Sequence, residues 1–113
     1  MIYIKLSIVV FLSFIWAGLA AAAEKANTCE LWLDSCARCH GDTGRGDTPL
    51  GKKLKVRDYS TQQAQADFTD EYLHKMIMDG KIIDGKKVMP SYREELNEKQ
   101  VAELVAYIRA LTK

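Results

Sequence analysis

Cys36-Ala37-Arg38-Cys39-His40 sets two thiols three positions apart, with an imidazole directly after the second. Thiols at this spacing can each form a thioether with a vinyl group of one porphyrin while the adjacent histidine reaches the iron from the same side, the spacing of c-type haem attachment. Cys, Cys and His are equally good zinc ligands, but tetrahedral closure needs a further Cys or His downstream. After His40 the chain offers only His74 and no cysteine. A redox dithiol of the thioredoxin type belongs in an alternating βα pattern, which this sequence lacks.

An electron-transfer haem commonly takes a thioether as its sixth ligand, and Met89 is the candidate. Pro90 holds the residue before it extended and stiffens the loop, which helps to keep a weak ligand in place. Met76 and Met78 fall inside a predicted helix, where a methionine is more often core. A ligating histidine usually donates its second ring N–H to a carbonyl or carboxylate, and the Pro49 carbonyl is the candidate acceptor for His40. Arg57 or Tyr59 is the candidate donor to a haem propionate, since a carboxylate near the interior calls for a charge-assisted partner.

The elements that must position these groups read as helices. Asn27 and Glu30 form a capping box that opens a helix through Trp32 to Cys36. Gly41 to Gly51, with four glycines and Pro49, reads as an ordered loop. Lys52, Lys53, Lys55 and Arg57 form a basic run. Ser60–Phe68 reads as a short helix, and Thr69 caps the next, which Gly80 ends. Tyr72, Leu73, Met76 and Ile77 give that helix one apolar face to lean on a haem, with His74 off the stripe and toward solvent. Lys81 to Val88 reads as a loop. Asn97 and Gln100 form a second capping box before Val101, Leu104, Val105, Ile108 and Leu111, the most regular helix in the chain. Tyr107 beside that stripe is placed to meet Trp32.

Residues 1–23 read as a secretory signal peptide: Lys5, an apolar run from Leu6 to Leu19, then Ala20–Ala23 with cleavage after Ala23. A retained anchor is the alternative, because Ile2–Ala23 is just long enough to span a bilayer. Residues 24–113 then form one small domain, formally neutral, since the leader's only charged residue is Lys5 and the whole chain carries +1. Nothing in this balance points to nucleic acid. A domain this small commonly needs a covalent or metal staple, which a haem supplies. Cys29 lies seven positions before Cys36, about 10.5 Å along a helix and too far for a bridge. It reads as a small residue buried at a helix contact, with a Cys29-linked dimer as the alternative.

Taken together, Trp32, Cys36-Ala37-Arg38-Cys39-His40-Gly41, Gly44-Arg45-Gly46-Asp47-Thr48-Pro49-Leu50-Gly51, Val88-Met89-Pro90 and Leu104-Val105-Ala106-Tyr107-Ile108 make the chain resemble a class I c-type cytochrome of the bacterial mono-haem kind. The resemblance implies an all-α, cytochrome c-like fold of three to five helices wrapped around one covalent haem c. It implies Cys36 and Cys39 as attachment points, His40 and Met89 as axial iron ligands, and Pro49 as the acceptor for His40. It also implies a contact of Leu104 and Tyr107 with Trp32. The family usually has a glycine near Thr28 or Cys29, where this chain has larger residues.

The function expected is one-electron transfer between redox proteins outside the cytoplasm, in the periplasm or otherwise exported, by a non-enzymatic monomer without stable membrane insertion after cleavage. Lys52, Lys53, Lys55, Lys81, Lys86 and Lys87 are expected around the exposed haem edge, with Glu94, Glu95, Glu98 and Glu103 toward the back. The alternatives are a gas-binding haem protein with a displaceable Met89 and a haem c subunit of a larger oxidoreductase.

Overall fold

The computed structural model describes the backbone of residues 2–112 and the side chains of residues 17–112. The side chains of the leader's apolar run up to Trp16, and Lys5, lie outside the described residues.

Helix α1 runs Ile2–Ser35 without interruption. Asn27 is therefore an interior, exposed residue and not a cap, a correction to the capping-box reading. The reason is local: Ala20–Ala23 are strong helix formers and no glycine or proline separates Leu19 from Ser35. The ladder continues past the end of α1, with the Cys36 amide donating to the Trp32 carbonyl at 2.9 Å. A short turn, α2 (Ala37–His40), then carries the rest of the motif and ends at Gly41, whose φ of 80° stops the helix.

The loop expected from Gly41 to Gly51 is shorter than its composition suggested. Thr48 caps a helix, α3 (Pro49–Leu54), by accepting from the Gly51 amide, and Pro49 takes the first helical turn. There its missing N–H costs nothing. Gly51 inside that helix has a structural cause, since a Cβ at this position would lie 2.6 Å from the Gly46 carbonyl oxygen. Helix α4 (Gln62–Asp67) is capped by Thr61, and α5 (Asp70–Asp79) by Thr69 with Gly80 at its end.

Lys81–Val88 is not a loop. Lys81–Ile83 (β1) and Lys86–Met89 (β2) pair antiparallel, Ile82 with Lys87 and Ile83 with Lys86. Asp84 (φ 50°) and Gly85 (φ 73°) close the hairpin. Two successive left-handed residues are what a two-residue hairpin turn needs, and Asp-Gly is a strong local signal for one. Helix α6 (Glu98–Arg109) follows, with the Asn97/Gln100 capping box formed in both directions.

The core lies where α1 meets α6. Trp32, Val101 and Leu104 are fully buried there, joined by Leu73, Ile77 and Met78 of α5 and by Val105 and Ile108. Tyr107 packs on Trp32 with ring centroids 5.4 Å apart. Thr28 is buried at the same crossing and returns its hydroxyl to the Glu24 carbonyl, 3.0 Å away. Beside it the Tyr107 hydroxyl reaches Cys29 Sγ at 3.6 Å. Larger residues at the family's glycine positions are thus accommodated by internal hydrogen bonding. Arg109 ties the end of α6 to the middle of the chain through Asp70 at 2.7 Å, the Gln65 carbonyl at 2.7 Å and the Phe68 carbonyl at 2.5 Å. Among the described residues there are six helical segments and one two-stranded hairpin, a mostly helical fold in keeping with the class expected, with the hairpin as its addition.

Candidate haem site

A cavity of about 360 Å³ opens between these elements. Its wall includes Cys36, Cys39, His40 and Met89, with Arg57 and Tyr59, and the intervening surface is largely apolar, from Leu54, Val56, Phe68, Leu73, Ile77, Val88 and Ile108. Residues separated by some fifty positions in the chain therefore face one space. A concave, mainly apolar cavity with a few convergent polar groups is the usual form of a cofactor site.

The His40 imidazole is gripped by two aromatic rings. Trp32 lies 5.8 Å from it and Tyr59 stacks on it at 5.5 Å. Trp32 is itself fixed by donating Nε1–H to the Gly41 carbonyl at 3.1 Å. Burial pushes the His40 pKa below the ordinary histidine value. The ring is thereby held neutral, the form that has a lone pair for a metal. Its Nδ1 is buried without any hydrogen-bond partner. The Pro49 carbonyl, the expected acceptor, makes no hydrogen bond to it in this structure. The contact between these segments is instead made by Thr48, whose hydroxyl donates to the Cys39 carbonyl at 3.1 Å.

The Cys36 thiol is pushed up to about 11, chiefly by burial and then by Cys39. Among the described residues no group of three or more His, Cys, Asp or Glu side chains converges as a metal site. His74, the remaining histidine, pairs with Glu98 at 2.7 Å on the surface. These observations favour covalent haem attachment over zinc. Two thiols, an imidazole that burial keeps neutral and a thioether around an apolar cavity fit a c-type haem.

Of the two propionate candidates, Tyr59 is on the wall beside His40, and burial raises its hydroxyl pKa. Arg57 also lines the cavity, but its guanidinium pairs with Asp67 at 2.7 Å and lies 5.0 Å over the Phe68 ring. Tyr72, Leu73, Met76 and Ile77 all face the cavity, as the stripe on α5 predicted.

Met89 is placed by Gly80 and by the hairpin. Gly80, with φ 71°, packs so closely on the methionine segment that a Cβ there would lie 2.7 Å from the Pro90 carbonyl carbon and 2.8 Å from the Ser91 amide. Ile83 and Val88 of the hairpin complete the wall around it. The signal that could have located them was Asp84-Gly85 between two apolar-containing stretches.

Comparison with known proteins agrees with this geometry. The family model described as cytochrome C oxidase, cbb3-type, subunit III matches residues 23–108. Cytochrome c6 of Nostoc sp. (strain PCC 7120 / SAG 25.82 / UTEX 2576) is 25% identical over 96 residues, covering 85% of this chain and 78% of that protein. The solved structure of KustC0563 c-type cytochrome superposes with a TM-score of 0.67 at 30% identity, over 75% of this chain and 96% of that one. The fold is the small cytochrome c-like one, and the cofactor is covalently bound haem c with its iron. Among the described residues no helix is long and apolar enough to cross a membrane. The chain belongs to the class I c-type cytochromes, within the family whose model is described as the cbb3-type oxidase subunit III.

Proposed function

We propose that this protein is a one-electron carrier outside the cytoplasm, with Cys36 and Cys39 as the thioether attachment points of its haem and His40 and Met89 as the axial ligands. The observation that carries this reading is the single apolar cavity whose wall holds all four side chains. When bound, haem supplies an iron that changes between ferric and ferrous by one electron. The chain's residues keep that change small in structural terms. Trp32 and Tyr59 fix the imidazole plane, Gly80 fixes the strand end that carries the thioether, and the apolar wall excludes water. His40 and Met89 would together hold the iron and leave no open position on it for a substrate, which suits carriage rather than catalysis.

Tyr59, with Arg57 behind it, is the proposed partner of a propionate. Lys55 and Lys81 stand on the cavity wall, and Lys52, Lys53, Lys86 and Lys87 are exposed, which suits a transient acidic redox partner. Residues 1–23 are proposed as a signal peptide cut after Ala23, leaving residues 24–113 as a monomeric domain. Glu98 and Glu103 are engaged with His74 and Lys99.

Protein exported from an expression host should be coloured in both redox states and give a haemochrome with pyridine that resists extraction. The Met89→Ala variant should lose the near-infrared sulfur-to-iron band and bind carbon monoxide. A band unchanged in that variant would reject the ligand assignment in favour of another thioether, whereas a wild type that lacks the band and binds carbon monoxide would favour a gas-binding haem. The description of the matching family model supports a second reading, a haem-bearing subunit of a larger oxidase. Co-purification at a fixed stoichiometry would establish it in place of the free carrier.

A further inference from the structure

The segment that carries Met89 is held to the body of the protein by few groups. Four of them belong to α5 and its end: Gly80 packs on the Pro90 carbonyl, Ser91 Oγ donates to the Met78 carbonyl at 2.5 Å, the Tyr92 amide donates to the Ile77 carbonyl at 3.0 Å, and Arg93 pairs with Asp79. One reaches across to the other ligand. The Tyr92 hydroxyl donates to the carbonyl of Ser35 at 2.8 Å, fifty-seven positions away and immediately before Cys36. Among the described residues it is the one hydrogen bond between the methionine segment and the attachment segment, and Ser35 and Tyr92 both line the cavity.

We propose that Tyr92 is a positioning residue for the methionine ligand, its hydroxyl setting the distance between the thioether of Met89 and the helix end that presents Cys36, Cys39 and His40. The inference rests on the reading of Met89 as an axial ligand. The ring of Tyr92 is half-buried and packs against the core, so its burial holds the segment near the body, while the hydroxyl alone fixes where along α1 it docks. Burial, with Cys36, Glu95 and Cys39 nearby, raises the hydroxyl's pKa, which keeps it a donor. In this proposal, displacing Met89 by an outside ligand carries the segment away from α1 and breaks this bond. Its strength therefore adds to the resistance against displacement.

The test is an imidazole titration of the haem-loaded full chain, followed by loss of the near-infrared band. Tyr92→Phe keeps the ring and removes the hydroxyl, and should bind imidazole roughly two- to tenfold more tightly than wild type, the range expected for one net hydrogen bond. Thr61→Ala, which removes the cap that accepts from the Ala64 amide at 3.2 Å, serves as the stability control. It should lower the unfolding midpoint and leave the imidazole affinity unchanged. Equal affinities in Tyr92→Phe and wild type would overturn the inference, as would an equal rise in Thr61→Ala, because general loosening would then explain both. Met89→Ala separates the two readings. If it keeps the band before any imidazole is added, the ligand assignment fails, whereas if it loses the band and Tyr92→Phe behaves as wild type, only the role of Tyr92 fails.

Discussion

The two sides of the haem site are built by different means. The histidine side sits on the crossing of α1 and α6, where Trp32, Val101 and Leu104 are 1%, 0% and 1% exposed and side chains interlock. The methionine side is a hairpin whose Ile82 is 67% exposed, and it is held at its base by Gly80 and a handful of hydrogen bonds. Packing is collective, so the first side should give way only when the domain unfolds. The second is fixed by single contacts and can open locally while the rest stays folded. If Met89 ligates the iron as proposed, a redox protein gains from this division, since the attachment helix stays rigid while the methionine is set by adjustable contacts.

The comparison is broken most severely at Trp32. Removing its ring should cost about 3–5 kcal/mol, the range for an aromatic deleted from a core. It takes with it the packing on His40 and Tyr107 and the bond to the Gly41 carbonyl. Trp32→Ala should therefore unfold both sides together in a denaturant titration of the haem protein. A single loss of the methionine band with helicity retained would contradict the collective picture.

Gly80→Ala should separate the sides. Its φ of 71° and the 2.7 Å approach to the Pro90 carbonyl carbon leave no room for a Cβ, so the segment must shift. A strained position of this kind costs on the order of 1–3 kcal/mol. The near-infrared band should weaken or vanish while far-ultraviolet circular dichroism stays near wild type. Gly85→Ala sharpens the point, because its φ is 73° but nothing lies within 4 Å of the added carbon. Only the left-handed conformation is penalised, by about 1 kcal/mol. Faster amide exchange should be confined to the hairpin, around Ile83 and Lys86, with the band preserved.

This division also governs what could be read in the sequence. Cys36-Ala37-Arg38-Cys39-His40 and the capped helix from Asn97 announce themselves through short-range spacing, and so does the apolar face of α5. The Trp32–Tyr107 contact is expected from the place of Tyr107 beside the α6 stripe and from the family resemblance. What escaped depended on a competing local rule or on distant partners. Asn27 looks like a cap only if the preceding alanines are not helical. Pro49 was read as a loop residue and an acceptor, although Thr48-Pro49 is equally a helix start. Lys81–Val88, with Gly85 and three lysines, reads as a loop unless Asp84-Gly85 is taken as a hairpin turn. Nothing local reveals that Tyr92 bonds to Ser35, because that pairing exists only after the chain has closed around the cavity.

The mildest perturbation lies on the packed side, at Tyr107. Its hydroxyl pKa is raised from 10.0 to about 12, by burial first and then by the bond to Cys29, with the charges of Asp42 and Cys36 adding to it. A phenol held above its unfolded value contributes stability that is complete below about pH 10 and is lost as pH rises through about 12, because the unfolded chain releases the proton earlier. In Tyr107→Phe the ring still packs on Trp32 and only a long contact to sulfur disappears, so the loss at neutral pH should stay under about 1 kcal/mol. Between pH 10 and 12 the variant should lose less stability than wild type, and the difference between their unfolding midpoints should shrink or reverse. Parallel curves across that window would place the Tyr107 hydroxyl in contact with water, and the α1–α6 crossing would then be less tightly closed around Cys29 than its geometry indicates.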